Sequence, residues 1–539
     1  MEVSVSCLGG VGEIGMNMYV YETDKCCVIV DCGVKFARVD DPGIDLIIPD
    51  FSYINEISHK QILLLISHAH EDHIGAIPYL LKDFPDIALA ANRYTFELIN
   101  YKLKEFNINV DKIYIDENSP FEWGDFEITA YAVSHSIYDT FIFKLIMPDG
   151  FTFLHMSDYK IDFASPTGNN FPLKELVDTA KSGVNCLLAD STNSLVNGFT
   201  MGEYGIIENL DNIFSKSNGR IFFTSFASNV ERLQTVFNLA KKYGRSVALE
   251  GSSLTKNIET ARKYGRLKID SNIIVPRKQI ERMDDDKICI IATGSQGESG
   301  SVINKIAQNN FSNIRIRSTD LFIFSSRVIP GNEQTLIRVI NNIYNNQGKC
   351  ITGDFSPIHV SGHASKEDIT MLIKLINPDY LVPIHGEMIH LIEHKNTALN
   401  AGLKEENILS FSSGKKLVFK DYHFIDTVDI PAEKMFVDTN RCEIIPFGEL
   451  KKRRQLATEG AVTIFINKHD INSLNMDNII IVYIGFNLNN NYDKLLKEAL
   501  INIEEPFTID NIAENIEHIT KHFFKKRFNK KPVIKIIIH

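Results

Sequence analysis

The chain has 539 residues, of which 44% are hydrophobic and 23% charged, and its formal net charge at pH 7 is −11. At roughly 150 residues per domain, this length predicts three or four domains with sizeable cores. No apolar run approaches the ~18 residues of a membrane span, and the first residues lack the basic-then-apolar order of a signal peptide. The eight cysteines show no zinc or disulfide spacing, so we expect a cytoplasmic protein without membrane contact.

Three glycines near the start form the pattern Gly10-x-Gly12-x-x-Gly15, which matches a dinucleotide-binding fingerprint. Residues 3–8 before it are typical of a strand, as the fingerprint requires. Residues 17–21 after it also favour a strand, where the fingerprint needs a helix. We therefore interpret the pattern as a tight turn and not as a nucleotide site.

The apolar run at residues 62–66 predicts a buried strand, and it leads into the sequence Ser-His-Ala-His-Glu-Asp-His. In an extended chain, residues two apart face the same way, so His68 and His70 can bind one cation. Asp72 and His73 are expected to point apart from each other and to serve a second cation nearby. Solvated loop histidines are the alternative, but only 16 residues of this chain are histidines, and chance rarely clusters them so closely. The segment predicts a centre for two metal ions.

Further ligand candidates follow apolar strands later in the chain. Residues 126–133 lead into His135, which we predict as the third ligand of the first ion. Residues 151–155 lead to Asp158, which could bridge both ions, and residues 380–384 lead into His385, which would complete the second site. Histidine and aspartate ligation suits zinc and admits manganese or magnesium, so we expect two divalent ions per subunit.

The motif His68-x-His70-x-Asp72-His73, followed by His135 and Asp158, resembles the metallo-β-lactamase superfamily. Asp190, His363 and His385 resemble the three added motifs of its β-CASP nucleases, and the pattern is most similar to the bacterial ribonuclease J family. The resemblance implies an α/β fold, namely a metallo-β-lactamase αββα sandwich interrupted by an inserted α/β β-CASP domain, plus a small C-terminal α+β domain. It also implies that Asp31 supports the site more than it binds metal.

The chain departs from that family pattern at a few positions. Ser67, Ala69 and Ser157 stand where threonine, glycine and glycine are usual, and Arg327 is also unusual. None of these changes removes a ligand, although Ala69 and Ser157 add a Cβ beside the metals. We expect the chemistry to be unaffected.

The motif order predicts a lactamase domain split into residues 1–194 and 354–430 around an insert at 195–353. The insert passes from strand to helix at 220–234 and again at 288–304, which predicts a parallel sheet flanked by helices. After a linker at 431–445, residues 446–539 contain strand candidates and one helix. The core face of that helix is predicted to carry Ile509, Ile512, Ile516, Ile519 and Phe523. In ribonuclease J such a domain goes with self-association, so the resemblance implies a homodimer or homotetramer.

The predicted chemistry is two-metal phosphodiester hydrolysis, in which two divalent ions about 3.5–4 Å apart activate a water. His363 is the candidate donor of a proton to the leaving oxygen, and Asp190 would orient it and favour its protonated form. We count His363, Asp190 and Asp72 as catalytic residues. The resemblance implies a metal-dependent ribonuclease with 5′→3′ exonuclease and endonuclease activity in rRNA processing and mRNA decay.

Substrate contacts are predicted in two loops. Residues 359–363 offer backbone N–H groups and a hydroxyl suited to phosphate, and by resemblance they hold the RNA backbone together with residues 228–230. The predicted contacts are Ser228, Asn229, Val230, His359, Val360, Ser361, Gly362 and His363. The expected partner is single-stranded RNA with a 5′-monophosphate. These loops could instead only buttress the metals.

The negative net charge argues mildly against a nucleic-acid partner, because phosphate contacts need local positive charge. Two basic clusters, at residues 451–454 and 521–531, either contact RNA or are solvated helix ends. Two rival classes also remain open. A thioester or lactam hydrolase would share the first motifs but has no need of the insert or of His363. A catalytically silent RNA-binding subunit of an RNA-degrading complex is the non-enzyme alternative, and the intact ligand set argues against it.

Overall fold

The computed structural model describes residues 2–37, 41–165, 168, 170–270, 272–311, 314–329, 331–353, 356–439, 443–469, 474–486, 490–501 and 509–539. The chain forms two compact units, Met1–Lys35 with Ile48–Lys434, and Phe36–Ile47 with Met435–His539. Within the described ranges, none of the helices has the length and apolar character that a membrane crossing needs.

Up to residue 190 the described strands are β1 (Glu2–Gly9), β2 (Val11–Gly12), β3 (Met18–Glu22), β4 (Cys26–Val30), β5 (Lys35–Phe36), β6 (Leu46–Pro49), β7 (Gln61–Leu65), β8 (Ala88–Ala91), β9 (Lys112–Tyr114), β10 (Phe121–Trp123), β11 (Phe126–Val133), β12 (Thr140–Ile146), β13 (Thr152–His155) and β14 (Cys186–Asp190). The helices of this part are α1 (Ser52–Glu56), α2 (Glu71–Ile74), α3 (Ile77–Asp83), α4 (Arg93–Glu105) and α5 (Leu173–Ser182).

The next elements are α6 (Tyr204–Lys216), β15 (Ile221–Thr224), α7 (Val230–Lys242), β16 (Ser246–Glu250), α8 (Ser252–Lys263), α9 (Arg277–Ile280), β17 (Ile288–Ala292), α10 (Val302–Ala307), β18 (Leu321–Phe324), α11 (Glu333–Asn345) and β19 (Lys349–Thr352). They are followed by α12 (Lys366–Ile376), β20 (Tyr380–Ile384), β21 (Gly386–Glu387), α13 (Met388–Ala401), β22 (Lys415–Lys420) and β23 (His423–Asp429). The last elements are β24 (Lys434–Asp438), β25 (Glu443–Ile445), α14 (Phe447–Glu459), β26 (Ala461–Ile466), β27 (Ile479–Ile484), α15 (Asn490–Ile501), α16 (Ile509–Phe528) and β28 (Val533–Ile538).

Two sheets of the first unit form a sandwich. Their strand orders are β23-β22-β1-β3-β4-β7-β8-β9 and β10-β11-β12-β13-β14-β20. Val28 and Leu63 of one sheet are buried in the same apolar cluster as Phe153 of the other. The next residue of that strand, Leu154, points to the opposite face and packs with Ile369 of α12, because successive side chains of a strand alternate between faces. The predicted αββα sandwich is confirmed.

The insert is a separate layered structure within the first unit. Its five strands are all parallel, in the order β16-β17-β15-β18-β19. On one face of this sheet, Phe223 of β15 is buried with Leu233 of α7. On the other face, Phe222 of β15 is buried with Ile303 of α10. Apolar side chains on both faces are what a parallel sheet covered by helices requires. The predicted parallel sheet with flanking helices is therefore confirmed.

The second unit is a small α+β structure. Its sheets have the orders β25-β24-β6-β5 and β27-β26-β28, and α16 packs on the second of them. Ile512 and Ile516 of α16 are fully buried, as the predicted apolar face requires, while the side chain of Ile509 lies outside the described residues. In the basic cluster of α14, Arg454 forms an ion pair with Asp41. The second basic cluster lies in the last turn of α16, where its positive charge stabilises the helix by interacting with the negative end of the helix dipole.

Glu22, at the end of β3, is a buried carboxylate between two lysines. Lys60 Nζ lies 3.0 Å from Oε2, Lys416 Nζ lies 3.1 Å from Oε1, and Tyr53 donates its hydroxyl to Oε1. Burial raises the pKa of Glu22, but Lys416, Tyr53 and Lys60 together outweigh it, so the pKa is held below its usual value. This group therefore stabilises the sandwich in its charged form.

Glu22→Gln is expected to lower the free energy of unfolding at pH 7 by roughly 2 kcal/mol, less than for a fully buried pair because both lysines reach solvent. Since the folded pKa lies below the unfolded value of about 4.3, this stabilisation is complete above that pH and is lost as the pH falls through the folded pKa. Urea unfolding at several pH values measures both effects. Glu127→Gln, at an exposed position, is the control. The assignment would be refuted if Glu22→Gln had the same free energy of unfolding at pH 7 as the wild type.

Candidate metal centre

Six residues at the carboxyl ends of sandwich strands come together at one end of the sandwich. β4 is parallel to β7, and β13, β14 and β20 are parallel to one another, so their ends share an edge of each sheet. The residues are Asp31 after β4, His68 after β7, His135 after β11, Asp158 after β13, Asp190 at the end of β14 and His385 after β20. Asp31 and His385 have φ of 63° and 50°, a left-handed conformation that turns the chain sharply at the strand end.

Three histidine nitrogens and one carboxylate oxygen form a first group. His70 Nδ1 lies 3.0 Å from His68 Nε2 and 3.2 Å from His135 Nε2. Asp158 Oδ2 lies 3.6 Å from the Nε2 atoms of both His68 and His135. Tetrahedral ligands at zinc bond lengths of ~2.0–2.1 Å are about 3.3 Å apart, so these separations fit a single cation.

A second group shares Asp158 with the first. Asp158 Oδ2 lies 3.4 Å from His73 Nε2, and Asp72 Oδ2 lies 3.7 Å from the same atom. Asp72 Oδ2 is also 3.4 Å from His385 Nε2, which is buried and has no hydrogen-bond partner among the described residues. A buried nitrogen without a hydrogen-bond partner, facing carboxylates, is suited to bind a cation. The donor set therefore fits a metal at this position as well.

Asp72 and His73 do not point apart as the sequence analysis expected. They lie on the single turn of α2, where successive residues are separated by ~100° and not by the 180° of an extended chain. Their side chains consequently converge, with 3.7 Å between Asp72 Oδ2 and His73 Nε2. The two residues share one ligand group for this reason.

Each of four histidines has a hydrogen-bond partner on the nitrogen that faces away from its group. Asp31 Oδ2 lies 2.7 Å from His73 Nδ1, and Ser67 Oγ lies 2.9 Å from His68 Nδ1. The remaining two pairs are His135 Nδ1 with the Gly362 carbonyl, at 2.7 Å, and His70 Nε2 with Ser228 Oγ, at 2.9 Å. Such outer partners fix the ring orientation and leave the inner nitrogen free to bind a metal.

The turn of α2 is held by residues that sequence reasoning passed over. Asn17 donates its backbone N–H to the Asp72 carbonyl at 3.0 Å. A Cβ at Gly33 would lie 1.6 Å from the same carbonyl oxygen, so no larger residue fits there. The Gly10-x-Gly12-x-x-Gly15 turn is followed by strand β3 and not by a helix, and its β2 pairs with β21 beside His385.

Ser67 and Ser157, two departures from the family pattern, touch each other. Ser157 Oγ donates to Ser67 Oγ at 3.0 Å, and Ser67 Oγ in turn donates to Asp31 Oδ2 at 2.7 Å. Ser157 has a φ of 46°, the conformation for which glycine is usual. Ala69 packs against the core of the insert, and Arg327 donates to Asn193 Oδ1. None of these four residues displaces a ligand.

The protonation of the histidines differs between the two groups. Burial lowers the pKa of His68 and His135 well below the usual value and that of His70 to about 4, so these rings are neutral at pH 7. Burial also lowers the pKa of His73, but the carboxylates of Asp158, Asp31 and Asp72 outweigh this effect and raise the pKa to about 10. The carboxylates thus create a strongly negative potential at the second group, which a cation would neutralise.

His363 and Asp190 form a third cluster beside the bridging carboxylate. His363 Nδ1 lies 2.7 Å from Asp190 Oδ2 and 3.9 Å from Asp158 Oδ2. Burial lowers the pKa of His363, but Asp190 and Asp158 outweigh it, so the pKa is raised. Asp190 is itself held by Thr192, whose backbone N–H donates to Oδ1 at 2.8 Å. The predicted pairing of these two residues is present in the structure.

The two predicted RNA loops lie next to the metal groups, but their side chains differ in accessibility. Ser228 is half-buried and contacts His70, whereas Asn229 caps α7 by accepting the Arg232 backbone N–H at 3.0 Å. Val230 and Val360 are buried in the core of the insert, so only their backbone could contact RNA.

The second loop, residues 359–363, is held both by distant residues and by its own. Asn193 Nδ2 and Thr200 Oγ1 donate to the His363 carbonyl at 3.2 and 2.8 Å. Ser361 Oγ accepts the His363 backbone N–H at 3.2 Å, and burial lowers the pKa of His359 to about 3. The structure therefore brings Ser228 and Gly362 to the metal ligands and gives Asn229 and Ser361 local roles in their loops.

The sandwich, its parallel-sheet insert and the shared aspartate define a β-CASP member of the metallo-β-lactamase superfamily. Family models agree: the metallo-beta-lactamase superfamily matches residues 11–141, the ribonuclease J beta-CASP domain matches 218–343, and the Zn-dependent metallo-hydrolase RNA specificity domain matches 354–409. The chain belongs to the ribonuclease J family.

Curated relatives support membership of the ribonuclease J family. Ribonuclease J of Helicobacter pylori (strain B128) is 32% identical over 99% of this chain and 78% of the relative. Ribonuclease J of Mycoplasma genitalium is 32% identical over 98% of this chain and 96% of the relative. Ribonuclease J of Synechocystis is 34% identical over 85% of this chain and 71% of the relative. The chain is thus a metal-dependent ribonuclease that binds RNA, and a catalytically silent subunit is not favoured.

Among solved structures, a protein of unknown function from Enterococcus faecalis V583 is similar in fold. Its TM-score is 0.55 at 15% sequence identity, and the similarity covers 78% of this chain and 100% of that chain. At this identity the likeness supports the fold alone.

Proposed function

We propose that this ribonuclease hydrolyses RNA with two divalent ions. His68, His70 and His135 would hold one ion, Asp72, His73 and His385 the other, and Asp158 would bridge them. The observation that carries the proposal is the position of Asp158 Oδ2, which lies 3.6 Å from His68 Nε2 and 3.4 Å from His73 Nε2, one nitrogen from each group. Ions bound there would supply a water of lowered pKa and stabilise charge on the phosphoryl oxygens.

Zinc is our candidate for the ions. The first group offers three imidazole nitrogens, and imidazole ligands suit zinc, whereas the extra carboxylate of the second group also admits manganese or magnesium. Asp31 supports the second group by accepting the Nδ1 proton of His73.

His363 is proposed to donate the proton that the leaving 3′ oxygen needs. Its Nδ1 is engaged by Asp190 at 2.7 Å, so the Nε2–H is the proton available to a substrate. Asp190 holds the ring in place and favours its charged form, against the effect of burial. Since the His363 side chain is 22% exposed, an RNA backbone beside the metals could reach it.

The proposed substrate is single-stranded RNA with a 5′-monophosphate, cleaved both as a 5′→3′ exonuclease and as an endonuclease, in rRNA processing and mRNA decay. The loops 228–230 and 359–363 flank the metal groups, which supports contact of these loops with RNA beside the ions. We also propose a cytoplasmic location, for which the free thiols of the described cysteines are the support.

The proposal predicts that the protein degrades 5′-monophosphorylated single-stranded RNA, that chelation abolishes the activity, and that zinc or manganese restores it. A circular RNA of the same sequence isolates endonuclease action, because it has no 5′ end, and a thioester serves as the control for the rival hydrolase class. Hydrolysis of the thioester with intact RNA would overturn the proposal. Equal rates on 5′-triphosphorylated and 5′-monophosphorylated RNA would remove the 5′-monophosphate preference alone.

The domain boundaries are proposed at residues 194/195 and 353/354, and residues 431–445, which include β24 and β25, are proposed as the connection to the C-terminal domain. The chain leaves the second sandwich sheet at Asp190, the end of β14, and rejoins it at β20, which supports a single insert between the two lactamase segments.

Self-association as a homodimer or homotetramer is also proposed. The support is an apolar face of the sheet β27-β26-β28 in the second unit, where Ile480, Val482 and Ile484 are 59%, 44% and 62% exposed. A second copy of the same face could cover it, since sheets pack face to face through apolar side chains. Light scattering of the full chain tests this proposal, and a monomer at micromolar concentration would refute it.

A further inference from the structure

We propose that Ser228 positions the metal ligand His70, and that through Ser228 the inserted domain couples RNA binding to ion binding. This inference rests on the proposed metal ligands and RNA loops. Ser228 lies in the loop before α7, 158 positions along the chain from His70, and its Oγ is 2.9 Å from His70 Nε2. The hydroxyl thus reaches from the insert to a ligand of the lactamase domain.

The two nitrogens of His70 have separate tasks. Nδ1 faces His68 Nε2 at 3.0 Å and His135 Nε2 at 3.2 Å, so it is the nitrogen that would bind the ion. Nε2 faces Ser228, and a proton on Nε2 donated to Oγ leaves the lone pair on Nδ1. No other described residue bonds to Nε2, so without that hydroxyl the ring is free to take the wrong tautomer or orientation.

His135 is held in the same way by the other RNA loop. Its Nδ1 lies 2.7 Å from the Gly362 carbonyl oxygen, and its Nε2 faces the first group. A Cβ at Gly362 would lie 2.8 Å from His135 Cε1, so only glycine permits this approach. Two of the three histidines of the first group are therefore oriented by loops that we assign to RNA.

Arg232 ties the two loops together. It is fully buried on α7, and its Nη1 donates to the Ile358 carbonyl at 3.0 Å, immediately before the loop of residues 359–363. Glu203 accepts from Arg232 Nε at 3.0 Å and from Nη2 at 3.1 Å, so the guanidinium is fixed on both sides. A shift of either loop is transmitted to the other through this side chain.

Coupling follows from these contacts. RNA that fixes the two loops also fixes the outer nitrogens of His70 and His135, and an ion that fixes those rings in turn fixes the loops. Linkage between binding sites is reciprocal, so each ligand must raise the affinity for the other by the same factor.

The test measures zinc affinity and not activity. Full-length protein is stripped with a chelator and titrated with Zn²⁺ against a chromophoric competitor. Ser228→Ala is expected to weaken zinc binding by roughly 10–100-fold, the usual cost of losing an outer partner, and Ser228→Thr is expected to restore it. Ser215→Ala is the matched control, because it removes an exposed hydroxyl from α6 of the same insert, where Ser215 Oγ donates to the Asn212 carbonyl at 2.9 Å and not to a metal ligand.

The coupling itself is measured in a His363→Ala background, which slows cleavage of the RNA during the titration. Single-stranded RNA is expected to raise zinc affinity about tenfold when Ser228 is present, and clearly less after Ser228→Ala. Thermal unfolding of every variant establishes that it is folded.

Three results would overturn the inference. They are wild-type zinc affinity in Ser228→Ala, equal losses of zinc affinity in Ser228→Ala and Ser215→Ala, and zinc affinity that RNA does not change in the His363→Ala background. In each case the proposed function survives as long as the wild-type chain binds ions and cleaves RNA. Failure of the wild-type chain to do so would instead remove the proposed function itself.

Discussion

Asp158→Asn is expected to abolish the activity by removing the charge that both ligand groups share. The amide would present a neutral oxygen or an N–H to histidine nitrogens that now lie 3.4–3.6 Å from a carboxylate oxygen. Loss of the metal contribution, worth several kcal/mol, corresponds to a fall in cleavage rate on the order of 10³-fold or more. The measurement is RNA cleavage at saturating metal, together with the metal content of the variant.

Asp178→Asn is a suitable control for this variant, because Asp178 is exposed on α5 and pairs with Lys181, at 3.0 Å, away from both ligand groups. It should leave both metal content and rate unchanged. If Asp158→Asn kept two ions and cleaved RNA at a rate within tenfold of the wild type, Asp158 would not be the bridging ligand.

His363→Ala is expected to lower turnover by roughly 10²–10⁴-fold while the protein keeps its metal ions. The reason is that His363 is bonded to Asp190 and is the candidate proton donor, whereas both proposed ion sites are complete without it. Single-turnover cleavage and metal analysis of the same sample separate the two effects.

Exposed His423→Ala, on the edge strand β23, controls for the loss of a histidine as such. A His363→Ala protein that lost metal, and whose metal-loaded fraction still cleaved at the normal rate, would make His363 a ligand and not the acid. Rescue of the rate by a leaving group of low pKa would support the acid role, because such a leaving group does not need the proton.

Much of the site could be predicted because its ligands follow strands. A buried strand has a clear sequence pattern, and the residue after it emerges at the sheet edge, so His135, Asp158 and His385 could be placed together from sequence. The strands predicted before them appear as β11, β13 and β20. The parallel sheet of the insert was predictable for the same reason.

The prediction for Asp72 and His73 was wrong because the local backbone conformation determines which way their side chains point. Asp72 and His73 were expected to point apart, but α2 begins at Glu71, and a helical turn brings the two side chains to one side. The turn depends on tertiary contacts of its backbone, such as Asn17 N–H with the Asp72 carbonyl, which no local pattern shows.

The outer partners of the ligands could not be predicted either. Ser228 and Gly362 reach His70 and His135 across 158 and 227 positions of the chain. Their contacts depend on how the insert packs on the lactamase domain, which the buried side chain of Arg232 fixes through Glu203 and Ile358. Packing of this kind is set by the whole core. A sequence motif can therefore indicate which loop lies near the site, but not which ligand atom that loop contacts.

The central claim is that two ions, held around Asp158, carry out the hydrolysis of RNA. Its most direct test is metal analysis of protein purified without chelator, with cleavage of 5′-monophosphorylated single-stranded RNA measured as the ions are withdrawn and returned. We expect two divalent ions per chain and a rate that falls and recovers with them. A chain that holds only one ion when fully active, or that cleaves RNA undiminished after stripping, would contradict the claim.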